Sequence, residues 1–196
     1  MLQSIQQRRS IRKYKSDAVP KEAIEQIIQA GRLAPSSKNR QPWQFIITTG
    51  SAKDESLCAM QRGLEREKNA PLLPESAQYL SGAEHTLRIM QEAPVIIYIV
   101  NPLGLELQRS LIAEERIYEI CNAQSVGAAI ENMTLTATEQ GLGSLWICDI
   151  YFAYEELTNW LNVDGQLLAA LAVGYADEAP QSRPRKDISD LVEWRQ

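Results

Sequence analysis

The chain has 196 residues, 44% of them hydrophobic and 23% charged, enough for one domain with a sizeable core and no covalent staples. Its net charge of −5 excludes a chain-wide nucleic-acid surface, so any basic cluster must be local. Three cysteines (Cys58, Cys121, Cys148) form neither a CxxC pair nor an even disulfide set, and a single histidine, His85, excludes a multi-histidine metal site; no metal site is expected.

The first residues, Met1 to Gln7, lack the apolar run of a secretory leader. The longest apolar run, Leu167 to Val173, falls far short of the roughly 20 residues that a membrane span requires. The reading is a soluble cytoplasmic protein with one domain over residues 1–196.

Leu2 and Ile5 sit on a short polar helix that leads into Arg8-Arg9-Ser10-Ile11-Arg12-Lys13-Tyr14. Guanidinium forks match phosphate oxygens in a bidentate way, and a serine hydroxyl adds another donor. Taken alone, the stretch reads as a solvated basic helix end or a short nucleic-acid arm before it reads as a phosphate site. Pro20 fits a first helical position, and Ile24, Ile27, Ile28 and Leu33 recur at helical spacing, giving a core-facing helix that stops before Pro35.

Pro35-Ser36-Ser37-Lys38-Asn39-Arg40-Gln41-Pro42-Trp43 is a rigid loop rich in hydroxyl and amide groups. It is either a well-made turn or a loop that wraps a polar, planar ligand. Trp43 to Thr49 reads as a strand bounded by Gly50. Ser51 could cap a helix with Leu57, Met60 and Leu64 on one face, and Leu80, Ala83, Leu87 and Met90 mark another, with His85 as a surface or packing residue. Pro94 to Val100 has the unbroken apolar character of a central strand.

Ala113 to Gln140 reads as one long helix with an apolar stripe through Ile117, Ile120, Cys121, Ala128 and Leu135, capped at Gly141. So wide a face belongs in the core or in a dimer interface. Gly127-Ala128-Ala129 would let another backbone come close. Ser144 to Cys148 is a strand, Tyr154 to Leu161 a short helix, and Leu167 to Ala176 a buried strand. The tail carries Arg183-Pro184-Arg185-Lys186 and then Ile188, Leu191, Val192 and Trp194, whose apolar side chains are expected to dock on a surface.

Three separated blocks, Arg8 to Tyr14, Pro35 to Phe45 and Gly141-Leu142-Gly143-Ser144-Leu145-Trp146, occur in order with the basic tail. Together they resemble the FMN-dependent nitroreductase family over essentially the whole chain. The resemblance implies an α+β fold with a central mixed or antiparallel sheet flanked by helices. It also implies a long central helix at a homodimer interface, with FMN sites shared between the subunits. By position, Arg8 and Ser10, next to Arg9, correspond to phosphate ligands, with Arg183 and Arg185 closing the site from the tail. Arg12 falls near the flavin pyrimidine edge, where positive charge favours the reduced cofactor. Pro35, Ser36, Ser37 and Asn39 would contact the flavin of the other subunit, and Ser125 the ribityl or ring region. The backbone at Ile147, Cys148 and Asp149 would approach flavin N5.

The family often has glycine where this chain has Cys148-Asp149, so the Asp149 carboxylate is expected to turn away from the flavin. Residues 51–92 fall where subfamilies build a substrate lid. No dedicated catalytic side chain is expected, because the cofactor carries the chemistry, and the GxGxxG fingerprint is absent. The function implied is an oxidoreductase in which NADH or NADPH reduces FMN and a nitroaromatic, quinone or enone-type acceptor is then reduced by a ping-pong mechanism. The alternatives are a dehalogenase or flavin-fragmenting member of the family, a non-catalytic flavin-binding protein, and a nucleic-acid module built on Arg8 to Lys15.

Overall fold

The computed structural model describes residues 1–195. Helices α1 (Gln3–Gln7), α2 (Lys21–Arg32), α3 (Gly50–Asn69), α4 (Leu80–Glu92), α5 (Ala113–Glu139) and α6 (Tyr154–Leu161) surround strands β1 (Gln44–Thr48), β2 (Val95–Asn101), β3 (Gly143–Ile147) and β4 (Gln166–Gly174). The strand order is β1-β2-β4-β3 and every pairing is antiparallel, so the sheet is antiparallel rather than mixed.

Every residue of β2 is buried, as its unbroken apolar run requires. Because successive side chains alternate across a strand, β2 feeds two cores. Ile96, Tyr98 and Val100 join α3, α4 and α6 on one face, through Leu57, Met60, Leu64, Leu87, Met90 and Leu157. Val95, Ile97 and Ile99 face α2 and α5 on the other, with Ile27, Val126, Ile130 and Met133. The register shifts between Ile99 and Val100, which lets Leu167 and Ala170 of β4 share a face despite their odd spacing.

Helix α5 ends as the glycine demands. Gly141 adopts a φ of +73°, Leu142 N–H reaches back to Ala137 O at 2.8 Å, and Gly141 N–H to Thr138 O at 3.1 Å, the paired bonds of a left-handed cap. The chain then turns straight into β3. Thr49, not Ser51, precedes the first turn of α3, and Pro20 flanks α2 rather than opening it.

Within this one chain, burial departs from the apolar pattern at three places. Leu33, 69% exposed, lies past the last turn of α2 and points to solvent, while Gly31 and Ala34 take the buried positions. The face of α5 that enters the core is Val126, Ala129, Ile130, Met133 and Ala137; Ile117 and Ile120 are exposed, and Cys121, Ala128 and Leu135 are half-buried. The helix thus has two apolar faces and this chain covers one. The tail residues Ile188, Leu191, Val192 and Trp194 are exposed as well, with Trp194 at 86%. Residues 51–92 form α3 and α4, whose buried faces belong to a helical layer on the sheet.

Candidate cofactor site

The basic stretch is tied to the sheet by its backbone. Ser10 bridges Ser144 at the start of β3, Ile11 N–H donates to Ser144 O at 3.0 Å, and Lys15 N–H donates to Tyr175 O at 2.9 Å just beyond β4. Asp177 N–H closes the ladder onto Lys13 O at 2.9 Å. Ile11 and Tyr14 turn inward and are buried; the Tyr14 hydroxyl donates to Ile11 O at 2.9 Å, and burial raises its pKa strongly. A Cβ at Gly143 would lie 2.7 Å from Ile11 Cγ1, so only glycine permits this approach. Pinning Ile11 and Tyr14 leaves Arg8, Arg9 and Arg12 on the outside.

Because β4 leads directly into the tail, residues 180–185 arrive beside that stretch. Arg8, Arg9, Ser10, Arg12, Pro180, Gln181, Ser182, Arg183 and Arg185 line one cleft of about 490 Å³. Five of these residues are arginines and none is acidic. On a chain of net charge −5 this is a concentrated cationic site. Arg9 folds back, its guanidinium donating to Gln6 O and Arg8 O at 2.8 Å each, and so stabilises the carbonyl end of α1. Arg8 Nε lies 3.5 Å from the Glu131 carboxylate on α5. The Arg12 backbone N–H donates to the Glu178 carboxylate, and its guanidinium reaches Ser10 O at 3.3 Å. The Arg185 guanidinium has only long contacts, 3.4 Å, to Arg183 O and Pro184 O.

A second cluster joins the Pro35–Trp43 loop to α5. Ser36 Oγ accepts from Gln41 N–H at 3.0 Å, and Ser37 N–H donates to Ser125 Oγ at 3.2 Å. The buried Ser125 hydroxyl donates in turn to Cys121 O at 2.7 Å. Lys38, Asn39 and Gln41 all hold positive φ, between 51° and 53°, which makes the loop a tightly wound coil. Pro35 and Asn39 are exposed, Ser36 and Ser37 half-buried. Sequence reasoning did not register Arg40, whose guanidinium carbon lies 4.3 Å from the centre of the Tyr118 ring on α5.

The third cluster is the turn after β3. Ile147 is buried and Cys148 exposed, and the Asp149 carboxylate accepts a short hydrogen bond from the Thr86 hydroxyl on α4. That bond turns the carboxylate toward the α4 layer. Burial first, and the Asp149 charge second, push the Cys148 thiol up, so it is a weak nucleophile near neutral pH. Trp146 lies over Gly127, its nearest ring carbon 3.6 Å from where a Cβ would sit; the small-residue run on α5 receives an indole there rather than a backbone. Along β3, Ser144, which bridges Ser10 of the cleft, lies four residues from Cys148, roughly 13 Å at strand rise.

The donor set fits a flavin mononucleotide. Its phosphate needs several cationic donors, and the cleft supplies five arginines and the Ser10 hydroxyl, with the Glu131 carboxylate beside Arg8 and the Glu178 carboxylate on the Arg12 backbone just outside its lining. A planar ring needs exposed backbone and small polar groups, which the Ser36–Asn39 loop and the Cys148 turn present. Among the described residues no group of three His, Cys, Asp or Glu could hold a metal ion, and no helix is long and apolar enough to cross a membrane.

Comparison with known proteins agrees with this fold. The chain is similar to a protein of Bacillus subtilis (strain 168) assigned as an NAD(P)H nitroreductase, YfhC, with 24% identity over 95% of this chain and 89% of that one. It is 25% identical to the iodotyrosine deiodinase of Thermotoga neapolitana, over 92% of this chain and 91% of the relative. A crystal structure from Desulfovibrio desulfuricans, of a protein assigned as a nitroreductase and in complex with FMN, superposes with a TM-score of 0.71 at 28% identity, covering 99% and 95% of the two chains. The model of the Nitroreductase family matches residues 5–175, spanning both the Arg8–Tyr14 stretch and the Cys148 turn, and the chain belongs to that family.

Proposed function

We propose that this chain is an FMN-dependent oxidoreductase that takes its electrons from NADH or NADPH. The nicotinamide nucleotide is oxidised and leaves, and a nitroaromatic, quinone or enone-type acceptor is then reduced in the same pocket. The observation that carries the reading is the five-arginine cleft with no acidic lining residue, built where β4 delivers the tail to the Arg8–Arg12 stretch. Family membership and the FMN-bound relative support the same cofactor.

In this reading Arg8, Ser10, Arg183 and Arg185 hold the phosphate. Arg9 contributes charge while its guanidinium stays on the end of α1. Arg12 lies beside the pyrimidine edge, and the backbone of Ile147, Cys148 and Asp149 reaches toward N5. When bound, FMN supplies hydride exchange at that atom. The protein's part is to bind, orient and tune the charge. Thr86 keeps the Asp149 carboxylate from opposing negative charge on the cofactor.

The loop at Pro35, Ser36, Ser37 and Asn39, held on α5 through Ser125, serves the site of a second subunit in a homodimer. Support comes from the apolar surface this chain leaves open: Ile117 and Ile120 on α5, and Ile188, Leu191 and Trp194 on the tail. The shared site makes the tail a clamp on the partner.

A second reading rests on the deiodinase relative, and makes the same cofactor serve reductive dehalogenation. Assaying the FMN-loaded protein with NADH or NADPH against nitroaromatics, quinones and halogenated phenols separates the two. Turnover of nitroaromatics or quinones is expected. Turnover confined to halogenated phenols would select the second reading, and bound FMN that neither nucleotide reduces would overturn both.

A further inference from the structure

Arg40 stands immediately after the loop residues assigned to the flavin and has no use inside the chain. Among the described residues it makes no ion pair, and its side chain donates no hydrogen bond. Its guanidinium instead lies 4.3 Å over the Tyr118 ring, and the residue is half-buried. A cation–π contact of this kind holds the guanidinium over the ring without using any of its N–H donors.

The mount is rigid at both ends. Arg40 N–H donates to Ser37 O at 3.1 Å, the neighbouring Gln41 N–H to Ser36 Oγ at 3.0 Å, and Ser37 N–H to Ser125 Oγ at 3.2 Å. Tyr118 sits seven residues, two helical turns, before Ser125 on α5, so loop and ring are fixed to one rod. The carboxylate nearest in sequence to the ring is Glu119, which forms no ion pair with Arg40 among the described residues. Lys38, exposed and with φ 53°, adds a second free cation on the same loop. An unpaired, preorganised guanidinium costs little to order on binding and suits planar oxyanions.

We infer that Arg40, held on Tyr118 and assisted by Lys38, is a specificity-determining anion clamp at the rim of the redox site. It selects a substrate that carries a carboxylate or phosphate at a distance from its reacting atoms. This rests on the proposed function, because the loop borders the flavin only in that reading. The oxyanion has two sources, the phosphates of the nicotinamide nucleotide or an acidic group on the acceptor.

The test uses the full-length, FMN-loaded protein in its oxidised form and measures binding of unreactive probes by titration calorimetry. Benzoate against benzamide reports an acidic acceptor; adenosine 2′,5′-bisphosphate against adenosine reports the nucleotide. At least one charged probe should bind about tenfold or more tightly than its neutral partner, as a charge-assisted contact requires. Arg40→Ala should erase that preference with FMN still bound, Arg40→Lys should keep part of it, and Tyr118→Leu should weaken it. Equal binding of charged and neutral probes by the wild-type protein, or an unchanged preference in Arg40→Ala, overturns the clamp and leaves the proposed function standing. A chain that takes up no FMN overturns that function and the clamp with it.

Discussion

Replacing Arg8 with alanine probes the arginine cleft with little disturbance of the fold. Arg8 is one of five arginines around the cleft, and its side chain is 27% exposed. A charge-assisted bond to a phosphate oxygen contributes about 1.5–3 kcal/mol. Its loss should therefore raise the FMN Kd roughly 10- to 150-fold. The fold should hardly respond, because the Glu131 carboxylate 3.5 Å away is 47% exposed and such a pair contributes about 0–1 kcal/mol. Glu131 does matter to the ligand. Once Arg8 is gone, an unneutralised carboxylate stands beside the phosphate. Arg8→Ala/Glu131→Gln should accordingly bind FMN more tightly than Arg8→Ala alone, and Arg8→Lys should lie between alanine and the wild type, keeping charge without the fork. Quenching of flavin fluorescence gives the Kd, and thermal melts of the apoprotein monitor the fold. Arg8→Ala with wild-type affinity, or a double variant no tighter than the single one, would refute the phosphate assignment.

Glu67→Ala should cost about 3–5 kcal/mol in urea unfolding, because its side chain is 2% exposed, pairs with Arg66 at 2.7 Å and accepts Leu72 N–H at 2.9 Å and Leu73 N–H at 2.6 Å. Burial pushes the Tyr98 hydroxyl from 10.0 to about 12 in the folded state. Its folded pKa lies above its unfolded one, so its contribution to stability is complete below pH 10 and is lost between there and about pH 12. Tyr98→Phe should flatten the fall of stability across that window, though not abolish it, since burial also raises Tyr151 to about 12. Deleting the chain from Ile188 onward removes exposed Ile188, Leu191 and Trp194 and should shift the protein toward monomer in sedimentation velocity; an unchanged dimer would remove the tail from the interface.

Local chemistry made most elements readable. The periodic isoleucines gave α2, the unbroken run gave β2, and Gly141 with its left-handed φ ended α5. What periodicity could not tell is which apolar face is covered by this chain. Ile117 and Ile120 repeat as well as Val126 and Ile130 do, yet only the second pair meets the sheet. The tail has the same ambiguity, since Trp194 needs a surface that this chain does not provide.

The cleft was readable as residue types but not as a place. Arg8 and Arg183 meet because β4 ends against residues 10–15, a tertiary consequence of the β1-β2-β4-β3 order. Ser125 was marked only by the family resemblance, as a ribityl or ring contact, and nothing in the sequence shows that its hydroxyl accepts from a loop N–H 88 residues earlier. Arg40 drew no attention because nothing in the sequence places it over Tyr118, 78 residues on; only the folding of the Ser36–Gln41 coil onto α5 does.

The most direct test of the central claim is the visible spectrum of the purified, FMN-reconstituted protein under anaerobic conditions, before and after NADH and then NADPH. Retained yellow flavin that bleaches with either nucleotide is the expected result and makes the arginine cleft the seat of a working redox cofactor. A protein that stays colourless after reconstitution would contradict the account at its base, and a retained spectrum that neither nucleotide bleaches would contradict the assigned electron donor.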